Sequence, residues 1–279
     1  MTSHKGVRFR SHYLFRSVLV AGVLLCFAAF SAEVQGDRNG LYQLYLKAVD
    51  DAKTVNPHKI SRNLVAITKG NPNLPLRWEG VPEKSRVLVV TWTDKDYYDD
   101  YVGRDYVLPP SANVWVTAVP ELKEFVRKHV VPVPPLRVEQ LLGLPPHTGK
   151  TKFVEIWADR KSLFRPSPDP EITDHEAELR FPTKVNPFLK YDPGASMIEW
   201  NSDLQKEVKY TYPEWFNHRK RTIYTGDSPY PWTRLGYTYD WGNVQTRVGL
   251  SEFVILGGST VGIHAVRSNA EYLNPALLN

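Results

Sequence analysis

Apolar residues recur along this chain with two distinct periods. Over Asp37–Val55 they fall at Leu41, Leu44/Tyr45, Ala48/Val49 and Ala52, the spacing of one helical face. The same spacing returns over Pro120–Val130, at Leu122, Phe125, Val126 and His129, with a proline where a first helical turn tolerates one. Leu136–Leu142 reads as a further short helix, stopped by Gly143 and Pro145-Pro146. Elsewhere the period is two, or the apolar run is continuous. Lys152–Ala158 (KFVEIWA) alternates like a half-buried strand, and Arg86–Thr93 (RVLVVTWT) is a β-branched run bounded by Pro82 and an Asp/Tyr loop. Leu64–Thr68 and Asn113–Ala118 are shorter runs of the same kind, and Arg234–Asp240 (RLGYTYD) alternates. Glu252–Val266 reads as a hairpin, because Gly257-Gly258 separates two β-rich runs.

The 22 prolines are spread through the chain, which predicts short elements joined by ordered loops. Pro166–Glu214 is rich in Pro, Asp and Glu and weakly periodic, a long excursion with one short helix expected at Glu171–Glu178. Strands outnumber helices, and neither βαβ alternation nor an internal repeat is present. The expected fold is therefore α+β: a single domain over 37–279 with a mainly antiparallel or mixed sheet, short helices and long Pro-rich loops, the excursion lying at about 166–214.

One apolar segment belongs to neither pattern. Ser17–Ala32 follows Lys5, Arg8, Arg10 and Arg16 and leads into small residues at Ala29/Ser31 and Val34/Gly36, the three parts of a secretory signal peptide. Its 16 residues fall short of the roughly 20 that a spanning helix needs. Residues 1–36 are expected to be cleaved on export, with membrane contact only through this leader before cleavage, leaving a soluble periplasmic or extracellular protein. Removing the leader changes the charge. The whole chain carries +5, from 35 Lys and Arg against 30 Asp and Glu; a cut after Ser31 removes four cations and leaves about +1. That is no basic surplus of the kind nucleic-acid binders carry, so nucleic acid is not an expected partner. Cys26, the sole cysteine, lies in the leader, so the mature chain is cysteine-free and excludes disulfides, thiolate–metal sites and a cysteine nucleophile. About 240 residues still suffice for a substantial core.

The motifs with chemical potential narrow the field further. Gly149-Lys150-Thr151 has five residues between Gly143 and Gly149, where a phosphate loop requires four, and it follows a helix and precedes a strand. It reads as a turn. No H-E-x-x-H or G-x-S-x-G motif occurs. Arg165–Glu178 concentrates Asp169, Glu171 and Asp174 beside His175 and Glu176. A calcium loop starting at Asp169 would need Gly at 174 and Glu at 180, where Asp174 and Arg180 stand, so no metal is assigned. The segment is either a capped acidic helix start on the surface or a cation or catalytic site. Thr93–Tyr106 interleaves aspartates with Tyr97 and Tyr98, and aromatic rings beside carboxylates suit sugar faces and hydroxyls. Ser228–Glu252 places Trp232 and Trp241 around Arg234 and Asp240; on a regular strand Arg234 and Asp240 share a face. Glu252 opens the final β-rich run.

The strand Arg86-Val-Leu-Val-Val-Thr with the late Glu252-Phe-Val-Ile loosely resembles the mono-ADP-ribosyltransferase layout. The resemblance implies an early arginine that grips NAD and a late glutamate that acts on the ribose. The acid or glutamine usual two residues before that glutamate would fall at Leu250, and no Ser-Thr-Ser-like motif stands between.

The leading functional expectation is an exported protein that recognises an envelope or extracellular polymer, carbohydrate above all, through a Tyr/Trp- and Asp-rich cleft. Arg234, Trp232, Trp241, Tyr97 and Tyr98 are its candidate binding residues. The alternative is a glycosidase-like hydrolase, whose two carboxylates would stand roughly 5–9.5 Å apart. Asp240, Glu252, Asp169, Glu171 and Asp174 are its candidates. An NAD-using transferase is the more remote alternative. The sequence assigns no cofactor.

Overall fold

The computed structural model describes residues 38–71, 74–182, 197–201 and 204–278. The leader at 1–36 and the middle of the excursion at 183–196 lie outside the described residues. By its contacts the chain divides into Met1–Leu44, of which only the start of the first helix is described, and Tyr45–Asn279, which holds the sheets and the remaining helices. The first helix, α1, runs over 38–52.

Strands β1 (Val87–Thr93), β2 (Asp105–Val107), β3 (Val114–Ala118), β4 (Lys152–Ala158), β5 (Leu163–Phe164), β10 (Phe253–Ile255) and β11 (Thr260–Ser268) form one sheet in the order β2-β11-β4-β1-β3-β10-β5. Every pairing between these strands is antiparallel. Two small antiparallel ribbons join β6 (Met197–Asn201) to β7 (Lys206–Tyr210) and β8 (Tyr237–Tyr239) to β9 (Val248–Ser251). The helices α2 (Glu121–Arg127), α3 (Pro135–Leu141), α4 (Tyr212–Thr222) and α5 (Asn269–Tyr272) are short. The fold is α+β with a mainly antiparallel sheet, as the pattern predicts.

Both faces of the central sheet are covered, which explains the continuous apolar run of β1. Val87 and Val89 face a core shared with Val154, Ile156 and Phe253 and closed by loop residues Val65, Ile67 and Leu108. Leu88, Val90 and Trp92 face the opposite side, packed by Leu122 and Val126 of α2 and by Val138 and Leu141 of α3. A third cluster joins Phe164 and Val254 to Tyr212, Trp215 and Phe216 of α4 and to Trp232. Among the described residues no helix is long and apolar enough to cross a membrane.

Several expected elements differ for identifiable reasons. Leu64–Thr68 joins no strand; its Leu64 and Ile67 amides donate to the His175 and Ile172 carbonyls at 2.9 and 2.6 Å. Glu171–Glu178 is not helical. The Asp169 and Glu171 side chains accept from the Glu171 and Thr173 amides at 3.1 and 2.8 Å, local bonds that compete with a helix. The buried Arg165 guanidinium also draws the Glu171 and Asp174 carbonyls to itself, both at 2.9 Å. Arg234–Asp240 is not one strand: Arg234 and Gly236 have φ of 59° and 71°, and only Tyr237–Tyr239 is extended in a ladder. Glu252–Val266 is not a hairpin, because β10 pairs with β3 and β5 while β11 pairs with β4 and β2. The Gly257 and Gly258 amides instead donate to Asn113 Oδ1 and the Pro109 carbonyl at 3.0 and 3.2 Å, tying the connection to the segment before β3.

Candidate functional site

A cavity of about 360 Å³ lies over the sheet face that α2 and α3 cover. Strand alternation builds its floor. Val90 and Trp92 of β1, Trp115 and Thr117 of β3 and Phe153 of β4 all line it. Leu142 and Leu144 follow α3, Arg219 and Ile223 come from α4 and the residue after it, and Tyr230 and Glu252 complete the lining. The walls are thus mostly apolar and aromatic, with a few polar groups set among them, the usual composition of a small-molecule site.

Glu252 is the chemical centre of this lining. Its backbone amide is fixed by the Gly236 carbonyl at 2.9 Å. Its Oε1 lies 2.9 Å from the Tyr230 hydroxyl, which also lies 3.0 Å from the Leu142 carbonyl. The hydroxyl has one proton, and the carbonyl can only accept. A protonated Glu252 completes both bonds: Tyr230 donates to Leu142, and Glu252 donates to the Tyr230 oxygen. Burial pushes the Glu252 carboxyl up to about 8; a Tyr230 hydroxyl turned to donate to the ionised carboxylate opposes the rise only in part, so the neutral acid prevails at pH 7. Burial, with Glu252 adding to it, likewise holds the Tyr230 phenol well above its ordinary value. Glu252 Oε2 and Thr117 Oγ1 are buried and have no hydrogen-bond partner among the described residues. Lys150 also lines the cavity, and burial lowers its ammonium below the ordinary value.

The residues singled out in the sequence fall into separate environments. Asp169, Glu171 and Asp174 gather near the buried Arg165, with Asp174 Oδ1 at 3.5 Å from its guanidinium. Burial raises Asp174 to about 6 despite Arg165, and raises Glu178 to about 7, with Asp169 and Asp174 adding to the rise. None of these lines the cavity. Asp240 is buried and accepts both ends of the Arg137 guanidinium at 2.8 and 2.6 Å, with the Gly242 amide at 3.0 Å. Arg234 donates to the Ala52 and Lys53 carbonyls at 3.3 and 2.7 Å, so it caps the end of α1 rather than meeting Asp240. Trp232 and Trp241 are core side chains, their indole N–H groups bound to the Pro166 and Leu144 carbonyls at 3.1 and 2.9 Å. Tyr98 is buried while Tyr97 is 49% exposed, and both rings join Tyr106 within 6.1 Å. Arg86, the NAD-gripping position in the transferase resemblance, is held by Glu79 at 2.5 Å and Asp105 at 2.6 Å and does not line the cavity.

Of the sequence candidates, Glu252 alone reaches the cavity. That Tyr230, Thr117 and Lys150 line the same cavity was not legible, because segments so far apart in sequence share no local spacing. Among the described residues no group of three or more His, Cys, Asp or Glu is placed to hold a metal ion. No family model, curated protein or solved structure matches this chain, so its function has to be argued from this geometry.

Proposed function

We propose that the protein binds a small molecule with an apolar body and a neutral hydroxyl end, taken up from the envelope or medium into which the chain is exported. One observation carries the reading: an aromatic-walled cavity of about 360 Å³ whose lining includes the buried Glu252, one of whose carboxyl oxygens has no hydrogen-bond partner among the described residues. Glu252 Oε2 and Thr117 Oγ1 belong to lining residues but are closed to solvent, and a hydroxyl, which both donates and accepts, is the group suited to either once side chains shift to admit it. Trp92, Trp115 and Phe153 offer flat apolar surface to the body of such a ligand.

Quenching of tryptophan fluorescence by octanol, octanoate and octyltrimethylammonium tests the reading. Saturable binding of octanol, tighter than either ion, is expected. Glu252→Ala should weaken it about tenfold, the value of one lost buried hydrogen bond. Failure of all three probes, or tighter binding of octanoate, would contradict the reading.

Recognition of an extracellular carbohydrate is a second reading, favoured by the tyrosine group. Tyr97 and Tyr101 are 49% and 38% exposed, their rings lie within 6.1 and 4.7 Å of Tyr106, and the exposed Asp94 and Asp100 stand nearby in sequence. In gels cast with xylan, retardation that disappears in a Tyr97→Ala/Tyr101→Ala variant would support it, and migration unaffected by xylan would count against it.

A further inference from the structure

Away from the apolar cavity, an open pocket of about 510 Å³ is lined by Arg77, Lys123, Arg127, His264 and Arg267, with Glu124 the one acid among its lining residues. A β-bulge brings these charges together. The register of β11 on β4 shifts between Ile263 and Ala265, so His264 is the extra residue. Ile263 and Val266 keep to the loop-covered core, whereas Ala265 and Arg267 pair opposite Glu155 and Phe153, on the face that α2 covers. Without the extra residue, alternation would turn Arg267 to the other face. The His264 ring instead stands edge-on to Trp157 at 5.1 Å, beside Arg267. Lys123 and Arg127, one helical turn apart, supply the opposite wall.

The acids present are already engaged. Lys123 pairs with the buried Glu155 at 2.8 Å, and Arg127 pairs with Glu124 at 2.5 Å. Glu155 lies 4.0 Å from His264 Nε2. No carboxylate stands within ion-pair distance of Arg77 or Arg267 among the described residues. Arg77 and Arg267 both line the pocket, Glu271 acts on Arg267 only from beyond ion-pair distance, and the planar guanidinium forks fit the oxygens of phosphate and sulfate.

We propose that this pocket is an oxyanion site, taking a phosphate or sulfate group between Arg77 and Arg267. The group is either a free anion or an ester on a larger molecule. The site is independent of the apolar cavity, so either assignment can fail without the other.

The full chain should be titrated with sodium sulfate and sodium phosphate against sodium chloride at matched ionic strength, reading melting temperature and tryptophan emission, to which Trp157 contributes. A saturable upward shift with sulfate or phosphate beyond chloride is expected, with affinity weakened about tenfold in Arg77→Gln and further in Arg77→Gln/Arg267→Gln. Arg62→Gln, which alters an exposed arginine paired with Glu176 outside the pocket, should bind like the parent chain. Arg77 is exposed, so its single variant should fold even if the double variant does not. In a second arm, dextran sulfate should bind with the same arginine dependence if the site accepts esters, and fail if it accepts only free anions. Equal effects of sulfate and chloride would overturn the assignment. So would anion binding, free or polymeric, that Arg62→Gln weakens as much as Arg77→Gln.

Discussion

Glu252 makes the account testable at the level of a single proton. Its carboxyl titrates near 4.5 in an unfolded chain and near 8 in the folded protein. Between those values the folded protein keeps a proton that the unfolded chain has released, so stability falls as pH rises, by about 1.4 kcal/mol per pH unit for one such group. Glu121 adds to the same trend. Burial raises it to about 7, although the Ser251 amide and hydroxyl both donate to it at 3.0 Å. In Glu252→Gln the loss of melting temperature between about pH 5 and about pH 8 should be visibly shallower than in the parent chain. An unchanged slope would mean that Glu252 is already ionised and that the neutral-acid account is mistaken. Asp240 is held by an ion pair with Arg137. Asp240→Asn should cost about 3 kcal/mol of stability in chemical denaturation, since it leaves a partly buried guanidinium with half its partner. It should leave octanol binding unchanged; an undiminished midpoint would refute the structural role.

At the scale of elements, glycine positions show where packing rather than propensity decides. Gly236 has φ of 71°, and an added Cβ would lie 2.5 Å from Arg165 Cδ, on the arginine that organises the acidic loop. Gly149 has φ of 70° with no heavy atom within 4 Å of an added Cβ. Gly149→Ala should therefore cost about 1 kcal/mol, the backbone penalty alone, and Gly236→Ala about 3 kcal/mol. Equal losses in urea melts would show that Arg165 yields without cost. The contrast also marks what the sequence could disclose. β1, β3, β4, α2 and α3 were legible because each carries a complete local pattern, and Lys152–Ala158 matches its strand end to end. α4 also carried a signal, Thr211-x-x-Glu214 with Pro213 in the first turn, which forms a capping box but lay inside a stretch read as loop. The acidic segment at Asp169–Glu178 was misjudged because its shape depends on Arg165. The β10–β11 connection was misjudged because Gly257-Gly258 suits a tight turn as well as a crossing between distant strands. The site was legible only at Glu252, the rest of its lining being assembled by tertiary contact.

On the scale of the whole molecule, one sheet borders two pockets of different lining on the face that α2 and α3 cover. Toward β3 and β10 it carries the apolar cavity with its neutral acid; toward β11 it carries the arginine pocket. Whether the cavity takes an apolar alcohol can be read from a crystal structure of the protein grown with octanol. The alkyl chain should lie against Trp92 and Trp115, with the hydroxyl within hydrogen-bond distance of Glu252 Oε2. Octanol bound only elsewhere, or a cavity closed by its own side chains, would contradict it.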